Sequence, residues 1–142
     1  MSLLPIQRAL VMEADSSTRL FITESLKTFG ITDVEDYASE YLALRRFIRG
    51  GFDLAIFDLR VWSSPVAAGG PTLVVATSPV CVPDDPGVVL RTQRQGADTL
   101  LEKPFNKWLL FGRLEALLAA PTGRRLKIVE LPTNRFRLGT VR

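Results

Sequence analysis

Asp58 is the residue in this chain whose type and position best suit chemistry. It directly follows the four apolar residues 54–57, at the point where a buried strand reaches the surface. Ligands collect at the carboxyl ends of parallel strands, so a carboxylate there can bind a metal, accept a transferred group or orient a substrate. The alternative is a solvated aspartate that begins a turn. A second run, residues 96–105 with Lys103 near its end, favours the chemical interpretation.

The composition excludes several kinds of catalytic site. Because none of the 142 residues is histidine, Ser-His-Asp and Cys-His nucleophile systems and imidazole-bound metals are ruled out. Cys81 is the single cysteine, so neither an intramolecular disulfide nor a structural zinc site can form, and a reducing cytoplasm is the expected compartment. Any bound metal would have to be a hard cation held by oxygen ligands.

Short apolar runs alternate with amphipathic stretches, which predicts a parallel sheet flanked by helices in one domain. The expected strands are residues 9–12, 31–37, 52–57, 73–76 and 100–101. Four helices are predicted to begin at residues that can cap or open a first turn, namely Asp15 or Ser16, Ser39, Asp84-Asp85-Pro86 and Asn106.

The connection between the third and fourth strands departs from this pattern. Residues 59–70 contain two glycines, a proline and two serines, a composition that disfavours a helix. A parallel crossover with its helix normally needs at least about ten to twelve residues. We therefore predict a doubly wound α/β fold in which the helix after the third strand is shortened or missing.

The end of the chain differs from the rest in charge. Residues 121–142 contain six Lys or Arg against Glu130 alone, whereas residues 1–120 contain 12 basic and 14 acidic residues. We expect a domain over residues 1–121 and a basic extension over 122–142, either a tail or a short hairpin. Such a segment is more often a solvated extension than a nucleic-acid contact. We expect neither an export signal nor membrane insertion, because no apolar stretch approaches the roughly 18 residues that a span requires.

Several widely spaced residues resemble the site of response-regulator receiver domains, over roughly residues 7–120. Most of them follow successive predicted strands: Glu13 after the first, Asp58 after the third, Thr77 or Ser78 after the fourth, Gly96-Ala97-Asp98 and Lys103-Pro104-Phe105 around the fifth, with Arg19 in the first helix. The resemblance implies the flavodoxin-like receiver architecture of five parallel strands, and a cis peptide bond before Pro104.

The resemblance also implies a role for each site residue. Asp58 would accept a phosphoryl group, Lys103 would bring a positive charge to it, and the Thr77 hydroxyl would hydrogen-bond it. Glu13 and Asp58 would hold Mg²⁺ together with the backbone carbonyl of Arg60. Such a site works mainly by positioning and by cationic stabilisation of the phosphoryl oxygens.

Two positions depart from the receiver pattern. Ala14 stands where a second acidic residue usually binds the metal directly, which weakens the expected Mg²⁺ site. Asp15 is the remaining candidate ligand, or else it only caps the first helix. Counting from Pro71 puts Ala76 at the usual place of the hydroxyl, one residue before Thr77.

The predicted function is that of a receiver domain in a phosphorelay. A partner's phosphohistidine would donate to Asp58, and the added charge would switch a protein–protein contact. The expected partners are a histidine kinase or phosphotransfer protein, a downstream protein and a second copy of the chain. The chain would be a phosphoacceptor rather than an enzyme, assisting at most its own phosphorylation and dephosphorylation. The alternative, favoured by Ala14 and the short crossover, is a degenerate receiver that docks or dimerises without phosphorylation.

Overall fold

A computed structural model describes residues 3–60, 72–78 and 96–119. Five strands in these ranges form one parallel sheet: β1 (Arg8–Met12), β2 (Asp33–Tyr37), β3 (Leu54–Asp58), β4 (Leu73–Ser78) and β5 (Thr99–Glu102). The helices described are α1 (Ser16–Thr28), α2 (Glu40–Ile48) and α3 (Lys107–Ala119). The strand order β2-β1-β3-β4-β5 is that of flavodoxin-like doubly wound sheets, which confirms the predicted fold class.

Some of the predicted elements lie outside the described residues. These are the short crossover beyond Arg60, the helix starting at Asp84-Asp85-Pro86, and the domain boundary at residue 121 with the extension that follows. Within the described ranges, no helix is long and apolar enough to cross a membrane.

One face of the sheet packs against α1 and α3. Both helices present apolar residues at helical spacing, as the sequence predicts, and these residues are fully or almost fully buried. The layer is built from Ile22 and Leu26 of α1, Leu110, Leu114 and Leu117 of α3, and Ala9, Val11, Leu54, Ile56, Val75 and Leu101 of the strands. Burying a side chain such as leucine or isoleucine stabilises the fold by about 1.5–3 kcal/mol.

The opposite face packs against α2. Ala43 of α2 is fully buried, and the ring of Phe47 meets the ring of Phe57 edge to face at 5.8 Å. Because side chains alternate along a strand, Phe57 belongs to this face while its neighbour Asp58 points to the α1–α3 face. Of these two adjacent residues of β3, Phe57 therefore packs in the core under α2 and Asp58 lies on the opposite face.

The predicted helix caps are present. The Asp15 carboxylate accepts a hydrogen bond from Thr18 N, and the Asn106 side chain accepts one from Leu109 N, both at 2.8 Å. Ser39 caps α2 in the same way. Each cap satisfies an amide that the helix itself leaves without a partner.

Strand β2 forms one edge of the sheet and is held there partly by charge. Arg8 of β1 lies 2.9 Å from Asp33 and 3.1 Å from Glu35, and Arg46 of α2 lies 2.7 Å from Glu35. Hydrogen bonds from Arg46 are the main reason that the pKa of Glu35 falls to about 2. The edge strand is therefore tied to both β1 and α2 by ion pairs.

Candidate functional site

The carboxyl ends of four strands bring the candidate residues to one edge of the sheet. Asp58 and Thr77 are direct partners in the β3–β4 register, and Glu13 and Lys103 directly follow β1 and β5. All four side chains continue the alternation of the face that packs against α1 and α3. Ala76 belongs to the α2 face, so Thr77 is the β4 residue whose side chain points toward Asp58.

The two carboxylates of this site are completely buried. Neither Glu13 nor Asp58 has any exposed surface. The expectation that Asp58 reaches the surface is wrong, and so is the alternative of a solvated turn aspartate. The reason is that two cationic side chains close over the strand end, one from β5 and one from the segment after β3.

Lys103 is the first of these cations. Its Nζ lies 2.9 Å from Oε1 and 3.0 Å from Oε2 of Glu13, and 3.5 Å from Oδ1 of Asp58. Only 11% of the side chain is exposed. The peptide bond between Lys103 and Pro104 is cis, as the receiver resemblance implies. The ammonium group therefore joins the ends of β1, β3 and β5.

Arg60 is the second cation, and its side chain was missed by the sequence analysis, which considered only its backbone carbonyl. The Arg60 amide donates to Asp58 Oδ1 at 3.0 Å, a local turn that an aspartate commonly makes with the residue two positions on. This turn folds the guanidinium back, so that Nη2 lies 3.1 Å from Asp58 Oδ2 and 3.3 Å from Glu13 Oε2. The only available signal in the sequence was an arginine two residues after the candidate acceptor.

Burial and the two cations act differently on the two carboxyls. Desolvation, followed by the neighbouring Asp58, raises the pKa of Glu13 above its ordinary value. Desolvation also acts to raise the pKa of Asp58, but hydrogen bonds with Glu13 and Arg60 and the charge of Lys103 outweigh it and lower that pKa. The surroundings of Asp58 therefore favour its ionised form, which is the form that a nucleophile needs.

The Mg²⁺ implied by the receiver resemblance does not fit this arrangement. Ala14 has no ligand atom, and Asp15 uses its Oδ2 to accept from both the amide and the hydroxyl of Thr18, at 2.8 and 2.7 Å. The remaining carboxylates, Glu13 and Asp58, are both paired with cations. No cluster of three or more carboxylate, cysteine or histidine side chains able to hold a metal occurs among residues 3–60, 72–78 and 96–119.

Two hydroxyl groups lie at the end of β4. Thr77 Oγ1 donates weakly to the Phe57 carbonyl at 3.4 Å and is completely buried. Ser78 Oγ is also buried and has no hydrogen-bond partner within the described part of the chain. Both residues belong to the strand rather than following it. Thr77, which faces Asp58, is the better placed of the two to contact a group bound there.

Two residues from the motif positions support the site without reaching its centre. Arg19 of α1 donates to the backbone carbonyl of Glu13 at 2.8 Å and pairs with Asp36 of β2 at 3.2 Å. The Asp98 carboxylate accepts from the amide of Val74 at 2.8 Å and so extends the β4–β5 pairing below Lys103. These contacts fix the chain segments that carry Glu13 and Lys103.

A cavity of about 590 Å³ opens beside the two cations. Arg60 and Lys103 line one part of it, and the rings of Phe21 and Phe105, 5.9 Å apart, line another. The exposed Asp15 also lines the cavity, so an entering group would meet both cations and one carboxylate there.

Comparisons with known proteins agree with this description. No protein-family model matches the chain, and no curated protein matches it by sequence. Solved structures do match. The chemotaxis response regulator CheY4 of Vibrio cholerae superposes with a TM-score of 0.64 at 22% identity, over 78% of this chain and 98% of that one. A response regulator receiver protein from Burkholderia phymatum superposes with a TM-score of 0.61 at 26% identity, over 82% of this chain and 98% of that one. A two-component response regulator from Clostridium difficile superposes with a TM-score of 0.65 at 16% identity, over 79% of this chain and 95% of that one.

These matches cover most of this chain and nearly all of each of these three structures. The shared element order and the acidic strand-end pocket lead to the same conclusion as the sequence motifs. The chain has the fold of a response-regulator receiver domain.

Proposed function

We propose that this chain is a receiver module of a phosphorelay and that Asp58 accepts the phosphoryl group. The observation that carries the proposal is the pairing of the buried Asp58 carboxyl with Lys103 and Arg60 at the carboxyl edge of the sheet. A phosphoryl group in transfer spreads negative charge over its oxygens, and two fixed cations beside the acceptor stabilise that charge.

The chemical step uses groups that lie on this edge. An Asp58 carboxylate oxygen attacks phosphorus, a P–O bond forms, and the P–N bond to the donor's imidazole breaks. The leaving imidazole keeps the bonding electron pair and takes a proton from water. Lys103 and Arg60 hold the phosphoryl oxygens, and Thr77 donates its hydroxyl to one of them. Arg60 must first move from the Asp58 oxygen that it contacts, which its exposed position allows.

The partners of such a module follow from this chemistry. The donor is a protein that carries phosphohistidine, a histidine kinase or phosphotransfer protein of the cytoplasm. The product places two negative charges beside Lys103 and so biases the surrounding surface toward or away from a downstream protein. The chain is then a phosphoacceptor and not a turnover enzyme.

The test is phosphorylation of the purified chain by a small donor. After incubation with phosphoramidate in the presence of Mg²⁺, intact mass spectrometry should show a gain of one phosphoryl group on the parent protein and none on Asp58→Asn. Glu24→Gln, at an exposed position of α1, is the matched control and should be labelled like the parent. An unlabelled parent, or equal labelling of Asp58→Asn, would overturn the proposal.

A second function is favoured by the complete burial of Asp58 under Arg60. A receiver whose acceptor oxygens are permanently paired would act as a docking or dimerisation module without phosphorylation. In the same experiment, this docking module would show no mass gain in the parent or in either variant. Partner binding that is equal for the parent and Asp58→Asn would then support this alternative.

A further inference from the structure

The two buried carboxylates of the site are matched by two cations without a bound ion. Glu13 and Asp58 each lie within 3.5 Å of both Lys103 and Arg60. In a pocket of clustered carboxylates that repel one another, a divalent cation restores the balance. Here the chain supplies that positive charge itself.

Arg60 occupies the position at which a cation would join the two carboxylates. Its Nη2 bridges Asp58 Oδ2 and Glu13 Oε2, and its Nε lies 3.3 Å from the same Asp58 oxygen. A guanidinium is planar, remains charged at all ordinary pH values and offers five donors, so it can hold two carboxylates at once. The turn formed by its own backbone amide on Asp58 fixes the start of the side chain.

The alanine at position 14 is consistent with Arg60 taking the place of a metal ion. The side chain that would complete an oxygen shell is absent, and Asp15 is engaged in capping α1. Mg²⁺ demands nearly octahedral oxygen ligation and gives up its water reluctantly. It would therefore gain little from two carboxylates while being repelled by the neighbouring guanidinium.

We propose that the Arg60 guanidinium replaces the divalent cation in this pocket, so that phosphoryl transfer to Asp58 proceeds without metal. The first part, exclusion of metal by Arg60, concerns binding alone. The second part rests on the proposed phosphoacceptor function. In the transfer step Arg60 then binds a phosphoryl oxygen in place of the Asp58 oxygen it releases, and no co-reactant beyond the phosphodonor is required.

Metal binding can be measured without any phosphorylation. Mg²⁺ titrated into the full chain by calorimetry, with Mn²⁺ broadening of amide resonances as a second readout, should show no saturable site in the parent. Arg60→Met combined with Ala14→Asp should bind Mg²⁺ at least about tenfold more tightly than the parent, since it regains a ligand and loses the competing charge. Arg60→Lys with Ala14→Asp keeps the charge and should bind more weakly than the methionine variant.

Folding of each variant is checked by its urea unfolding transition, and Arg45→Met on the exposed face of α2 serves as the matched control. Saturable millimolar binding of Mg²⁺ by the parent at Asp58 would overturn the inference. So would equal affinities of the parent and the Arg60→Met, Ala14→Asp variant.

Labelling with phosphoramidate separates this inference from the proposed function. With a chelator present, the parent should be labelled within about twofold of its rate in Mg²⁺, whereas Arg60→Met should lose at least about tenfold. A parent labelled only in Mg²⁺ contradicts the metal-free step and leaves the phosphoacceptor function intact. A parent never labelled contradicts that function, and the calorimetric result then still decides whether Arg60 excludes metal.

Discussion

Lys103 and Arg60 contact the same two carboxylates, yet solvent reaches them very differently. The Lys103 side chain is 11% exposed and the Arg60 side chain 47%. An ion pair that includes a well-exposed partner is screened, whereas removing one partner of a buried pair leaves an uncompensated charge in a poorly solvated place. The two cations should therefore contribute unequally to folding.

We expect Lys103→Met to lower the free energy of unfolding by about 3 kcal/mol, because the buried Glu13 carboxylate then keeps only the half-exposed Arg60 as its cationic partner. Arg60→Met should cost less than about 1 kcal/mol, since the half-exposed guanidinium is screened by water and Lys103 remains beside both carboxylates. Urea unfolding followed by tryptophan fluorescence measures both. Adding Glu13→Gln to Lys103→Met should recover most of the loss, and a double variant as unstable as the single one would contradict this account.

How well the sequence predicts a site residue depends on how far its side chain reaches from the backbone. Asp58 could be located because it ends an apolar run, whereas Glu13 and Lys103 could be located because their positions resemble those of the receiver site. The position of the Arg60 guanidinium could not be predicted. A long side chain beside a turn can adopt several conformations, and the one adopted here depends on the charges at the ends of β1 and β5. The burial of Asp58 was missed for the same reason.

At the scale of elements, the sequence predicted all five strands and the three described helices. It also located the residues that cap α1, α2 and α3, because Asp15, Ser39 and Asn106 precede amphipathic stretches. Strand ends were less accurate. Counting from Pro71 placed the hydroxyl position at Ala76, one residue before Thr77, because counting assumes a fixed spacing. The register between β3 and β4 determines which side chain faces Asp58, and it pairs Asp58 with Thr77.

Variants of Asp15 can distinguish whether this residue caps α1 or binds a metal. Asp15→Ala removes the acceptor for the Thr18 amide and should measurably lower the free energy of unfolding. Asp15→Ser should restore most of that stability, because serine caps a helix without a carboxylate. Thermal or urea unfolding checks both variants. If serine failed to rescue, or if Asp15→Ala changed Mg²⁺ binding, the carboxylate would be more than a cap.

At the scale of the whole molecule, charge pairs join parts of the chain that the sequence places far apart. Glu35 of β2 accepts from Arg8 of β1, from Arg46 of α2 and from the Tyr37 hydroxyl. Composition alone indicated a net charge and a basic end, but it could not show that acidic residues on β2 meet arginines from three other elements, β1, α1 and α2. Such pairings depend on the order of strands in the sheet.

The Glu35 pairing predicts how stability depends on pH. Because its pKa falls from 4.5 to about 2 on folding, the carboxylate stabilises the fold above about pH 4.5 and loses that contribution as pH falls toward 2. Glu35→Gln should therefore cost about 1 kcal/mol at pH 7, a value reduced for partial exposure, and progressively less below pH 4.5. Urea unfolding over this range measures the difference, with exposed Glu24→Gln as the control. A difference independent of pH would contradict the assignment.

The edge position of β2 has a consequence for how copies of this chain meet. An edge strand offers unpaired amides and carbonyls to any other strand, and β2 lies at the end of the sheet with none of its residues fully buried. It carries three acidic side chains, Asp33, Glu35 and Asp36. Each of these is ion-paired with an arginine of the same copy, so a second strand would have to disturb those pairs to approach. Charged side chains on an edge discourage the strand-to-strand pairing that begins aggregation, and we expect two copies to associate through another surface.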